Sequence, residues 1–64
     1  MYIIAVRDRD ARSTLALEEY DNHEEWLEKF SGYTIEFRDN PSVEVTGSVG
    51  GTKEEFLEQN PEFA

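Results

Sequence analysis

The chain has 64 residues, 15 acidic and 6 basic, for a formal net charge of −9, and it contains no cysteine. One small domain is all that this length supports, and its core must be thin, because a chain of this size buries only ~60% of the surface it exposes when unfolded. Disulfide scaffolds and thiolate metal sites are excluded, and a reducing, cytoplasmic setting is expected. The charge repels nucleic acid and anionic membranes and attracts basic surfaces.

Taken in order, Tyr2-Ile3-Ile4-Ala5-Val6-Arg7 reads as a strand, apolar on both faces and therefore central. It is too short for a signal-peptide core, and no stretch approaches the ~20 apolar residues that span a bilayer. Asp8 to Ser13 is a charged turn. Thr14 to Tyr20 carries Leu15 and Leu17 in alternation, and the short turn before it suits a hairpin, so a second strand is expected.

Asp21 or Asn22 then opens a helix. Asn22 with Glu25, or Asp21 with Glu24, has capping-box spacing, and Trp26, Leu27 and Phe30 share a face. Gly32 is expected as the residue that ends this helix. Tyr33 to Arg38 alternates, with Tyr33, Ile35 and Phe37 inward. Val43 to Thr46 alternates again across the turn Asp39-Asn40-Pro41-Ser42, and the two segments are expected to form a hairpin. Gly47 to Gly51 is a loop. Thr52 with Glu55 repeats the capping box for a short helix, Lys53 to Gln59, which Asn60-Pro61 ends. The expected fold is α+β in ββαββα order. It comprises a four-stranded antiparallel sheet, one packed helix and a C-terminal helix covering an edge or end.

Ingredients for catalysis are scarce, and the expectation is that the chain is not an enzyme and takes no cofactor or metal. Gly47, Gly50 and Gly51 precede Thr52-Lys53, but a Walker loop needs other spacing and the order Gly-Lys-Ser/Thr; a turn with a threonine cap explains them. Asp8 and Asp10 lack the further oxygens of a calcium loop and sit among Arg7, Arg9 and Arg12. Those arginines point either to intramolecular ion pairs or to an acidic patch on a partner. His23, the only histidine, has no nucleophile beside it in sequence.

The acidic runs are the strongest candidate for function. Residues 1–12 carry a net charge of +1 and residues 13–64 a net charge of −10. Glu18, Glu19, Asp21, Glu24, Glu25 and Glu28 form one candidate partner-binding patch, and Glu54, Glu55 and Glu58 form a second. Glu24 and Glu28 stand one helical turn apart and repel, as do Glu54 and Glu58, so stability alone does not favour this arrangement. Asp21 to Glu28 spans about 10 Å of helix at ~1.5 Å per residue. Its four carboxylates therefore approach the ~3.4 Å axial spacing of phosphates along one strand of B-DNA. Simple solvation of the surface, imitation of nucleic acid and another kind of protein contact all remain open on these grounds.

With its compact α+β body, its clustered carboxylates, no catalytic set and a chain beginning at Met1, the sequence resembles the small acidic inhibitors of phages and other mobile elements. Anti-CRISPR, anti-restriction and uracil-DNA glycosylase inhibitor proteins are of this type. The resemblance is one of class and rests on no shared motif. It implies a stoichiometric inhibitor, monomeric or homodimeric, that competes with DNA or RNA for the basic groove of a nucleic-acid-binding protein or complex. Such a protein contacts neither nucleic acid nor membrane itself. The alternative is an interaction module, monomeric or homodimeric, that binds through an aromatic patch or a strand edge.

Overall fold

The computed structural model describes residues 1–64. Strands β1 (Tyr2–Asp8) and β2 (Ser13–Tyr20) are followed by helix α1 (His23–Phe37), strand β3 (Val43–Val49), helix α2 (Lys53–Gln59) and a 3₁₀ turn, Pro61–Phe63. The three strands form one antiparallel sheet in the order β2-β1-β3. As its unbroken apolar run implies, β1 is central, and Ile3, Ile4, Ala5 and Val6 are all buried.

Alternation along β1 divides the core into two layers. Ile3 and Ala5 face α2 and the 3₁₀ turn, where they meet Phe56 and Phe63, with Leu17 and Leu57 packed alongside. Ile4 and Val6 face α1, which lies on the opposite side of the sheet. There Tyr2, Trp26 and Phe30 form a chain of ring contacts, at 5.4 Å from Tyr2 to Trp26 and 5.7 Å from Trp26 to Phe30. The Trp26 indole N–H donates to the Ile3 carbonyl at 2.9 Å. Gly47 lets α1 settle onto the sheet, since a Cβ there would stand 2.3 Å from the Phe30 ring.

The expected fourth strand does not exist. Tyr33 to Phe37 continues α1, and the order is ββαβα rather than ββαββα. The spacing Trp26, Phe30, Tyr33, Phe37 gives one helical face, and this 3.6-residue period prevails over the two-residue alternation of Tyr33, Ile35 and Phe37. Ile35, expected inward, is 64% exposed as a result. Gly32 is helical and does not end the helix; Arg38 is the C-cap. The expected hairpin of residues 33–38 with 43–46 is therefore absent, and β3 pairs with β1, Val43 opposite Asp8 and Val49 opposite Tyr2. β3 also extends through Gly47 to Val49, which confines the glycine loop to Gly50 and Gly51, at φ of +94° and +73°. α2 covers a face of the sheet, not an edge or end. Of the two candidate caps of α1 it is Asn22 that acts, its Oδ1 accepting the Glu25 N–H at 3.0 Å, and Thr52 caps α2 as expected, its Oγ1 accepting the Glu55 N–H at 3.2 Å.

Candidate functional site

The topology gathers carboxylates that are remote in sequence. β2 ends where β1 begins, with Tyr20 opposite Tyr2, and β3 ends at the same place, with Val49 opposite Tyr2. α1 starts there, because the His23 ring packs edge-on against Tyr2 at 5.3 Å. α2 starts there as well, because the Lys53 N–H donates to Glu19 Oε2 at 2.8 Å. One end of the sheet therefore collects the close of β2 and the first turns of both helices. Glu18, Glu19, Asp21, Glu24, Glu25, Glu54 and Glu55 all belong to it, with Lys53 as the basic residue among them.

These residues are not equivalent. Glu18 points to the α1 side of the sheet and is half-buried. Its two carboxylate oxygens accept the Tyr20 hydroxyl at 2.7 Å and the Tyr33 hydroxyl at 2.9 Å. Burial, first, and then the hydrogen bond and negative charge of Glu18 hold both phenols above the ordinary tyrosine range. Glu19 points to the opposite face, where it caps α2. Asp21, Glu24 and Glu54 are exposed, and Glu24, Glu25, Glu54 and Glu55 lie in first helical turns, where the helix dipole favours negative charge. Part of the acidity thus has a structural cause.

Glu28 and Glu58 continue the exposed rows one turn beyond Glu24 and Glu54, but α1 and α2 occupy opposite faces of the sheet. The two candidate patches meet only at the acidic end, and they do not form one continuous row. The Glu18–Tyr20–Tyr33 cluster was not legible in the sequence, since its formation depends on Tyr33 lying on a helix.

The opposite end holds the arginines. Arg7 Nε donates to the Glu62 carbonyl at 3.0 Å and Arg9 Nη2 to the Pro41 carbonyl at 2.7 Å, so these two clamp the C-terminal turn and the α1–β3 turn through backbone oxygens. Asp8 Oδ1 accepts the N–H groups of Asp10 and Ala11 at 3.0 and 3.1 Å, which shapes the β1–β2 turn. Arg12 completes that turn at φ +53°. No three histidine or carboxylate side chains stand together as metal ligands would. His23 belongs to the aromatic cluster with Tyr2 and Trp26. No helix is long and apolar enough to cross a membrane.

No protein-family model matches the chain, and neither a curated protein nor a solved structure is significantly similar to it.

Proposed function

We propose that this protein is a stoichiometric inhibitor that inserts the acidic end of its sheet into the basic nucleic-acid-binding groove of a partner protein, as anti-CRISPR and anti-restriction proteins do. The observation that carries this reading is the convergence of the β2–α1 junction and the start of α2, which brings Asp21 and Glu24 to one end of the molecule together with Glu54, which is remote from them in sequence. Charge presented in this way matches lysines and arginines spaced to grip phosphates, raises encounter rates and weakens steeply with salt. The action is occupancy, without turnover or cofactor, and it takes place in the cytoplasm where the partner meets DNA or RNA.

Two sets of charge reversals separate the acidic end from net charge. Asp21→Lys, Glu24→Lys and Glu54→Lys alter the acidic end. Glu36→Lys, Asp39→Lys and Glu62→Lys make the same change in net charge at sites away from it. The first triple variant loses binding and the second keeps most of it. Equal loss in both would assign the effect to bulk charge and overturn the reading.

A further inference from the structure

The structure points to a second binding surface, independent of the acidic end: we propose that the β3 edge pairs with the β3 edge of a second copy of this chain, forming a six-stranded antiparallel sheet across a twofold axis at Thr46.

The sheet has two open edges, and they differ. β2 is blunted in the ways that discourage edge pairing: a register shift opposite Val6 and Arg7, and Glu18 and Glu19 near its end. β3 runs seven residues against β1 without a register shift and contains no proline or lysine, and Glu44 is its one charged residue. The Arg9 N–H to Ser42 carbonyl and Gly50 N–H to Met1 carbonyl bonds, both 2.8 Å, fix the phase of the β1–β3 ladder. Glu44, Thr46 and Ser48 turn their peptide groups toward β1, so Val45, Gly47 and Val49 turn theirs outward. The Val43 N–H is used by the Asn40 carbonyl at 3.1 Å, which leaves the Val43 carbonyl facing out.

The sequence of this edge is complementary to itself. In the antiparallel register centred on Thr46, Val45 exchanges both peptide hydrogen bonds with Gly47 of the second copy, and the Val49 N–H reaches the Val43 carbonyl. Glu44 falls opposite Ser48, so no like charges face each other, and Val43 falls opposite Val49 as a β-branched pair. Val49, 68% exposed in the single chain, thereby gains an apolar neighbour.

The helix beside this edge fits the same occupant. Phe30, Thr34 and Phe37 of α1 and its C-cap Arg38 line an open groove of about 400 Å³ with Val43 and Val45, which identifies the flank of α1 that faces β3. At ~3.6 residues per turn, His23, Leu27, Ser31 and Thr34 belong to that flank. Its one carboxylate, Glu24, lies at the outer rim in line with Ser31, at the end where the acidic residues gather, and the rest of the flank is free of acid. Leu27 is 49% exposed there, and α1 has no fully buried residue. A twofold axis normal to the sheet sets the two α1 helices side by side and antiparallel on one face, so these flanks meet. It also sends the two acidic ends in opposite directions, which keeps the largest like charges apart.

Sedimentation equilibrium of the full chain tests this. The expected mass is twice 7.4 kDa, and the pair persists in high salt because backbone hydrogen bonds and apolar contacts hold it. Leu27→Glu with Val49→Glu, both at exposed positions, places carboxylates on the flank and the edge and yields a folded monomer by far-UV circular dichroism. Val49→Lys alone is the milder variant and weakens the pair about tenfold or more. Leu15→Glu, on the exposed part of β2, leaves it intact. A wild-type mass of 7.4 kDa at every concentration overturns the proposal, as does a dimer lost with Leu15→Glu and kept with the two β3-side variants. Failure of the acidic-end reading leaves all of these masses unchanged.

Discussion

The Tyr33 hydroxyl donates to Glu18 Oε2 at 2.9 Å and ties the middle of α1 to the end of β2. Tyr20 occupies the other oxygen of the same carboxylate. A half-buried acid with two phenol donors is a structural fastener before it is anything else. Glu18→Ala strands both hydroxyls and should cost about 1–3 kcal/mol, while Tyr33→Phe, which removes one donor, should cost about 1 kcal/mol. Thermal melts followed by circular dichroism measure both, and unchanged melting would show that the contacts contribute nothing.

The same cluster gives the fold an alkaline limit. Tyr20 and Tyr33 hold their protons more tightly when folded than an ordinary phenol does, first through burial and then through Glu18. A raised folded value means that the stabilisation is fully present below the unfolded value of ~10 and is lost as pH rises through the folded values. The melting temperature should fall above about pH 10. The double variant Tyr20→Phe, Tyr33→Phe should show a shallower fall, and an equally steep one would place the alkaline sensitivity elsewhere.

Gly47 is required by contact with α1 and not by backbone conformation. A Cβ at this position meets Phe30 at 2.3 Å and Trp26 at 3.1 Å. Gly47→Ala should force the Phe30 ring aside and cost about 1–3 kcal/mol, as overpacked sites do. Urea unfolding measures this, and a neutral result would mean that Phe30 moves freely into the adjacent groove.

The two helix caps are separate and their effects should add. Asn22→Ala and Thr52→Ala each remove a side-chain acceptor from a first-turn N–H group and should each cost about 1 kcal/mol. The double variant should equal the sum of the singles within ~0.5 kcal/mol. A larger shortfall would couple the two helices across the sheet.

Much of this fold could be read from the residues alone. β1 announces itself as central by its unbroken apolar run, and both helix starts by their capping boxes. The length of α1 could not be read in this way, because Tyr33, Ile35 and Phe37 satisfy a strand period while Tyr33 and Phe37, with Trp26 and Phe30, satisfy a helix period. The contest is decided by what lies beneath: Tyr33 reaches Glu18 and Phe30 packs over Gly47, both long-range facts. Gly32 misled for a related reason, since a glycine within a helix costs only ~1 kcal/mol relative to alanine and packing can offset that. The candidate acids were identifiable as residue types, and their gathering at one end was not. That gathering follows from β3 pairing with β1 and from the helices lying on opposite faces.

Competition tests most directly whether the acidic end occupies a groove built for nucleic acid. The immobilised chain is used to capture its partner from a lysate at low salt. The captured protein's binding to labelled DNA or RNA is then titrated with free chain. Displacement of nucleic acid at stoichiometric amounts, release of the partner in high salt, and no displacement by the Asp21→Lys, Glu24→Lys, Glu54→Lys variant are the expected results. Simultaneous binding of chain and nucleic acid to the same partner, or displacement by that variant as complete as by the wild type, would contradict that occupancy.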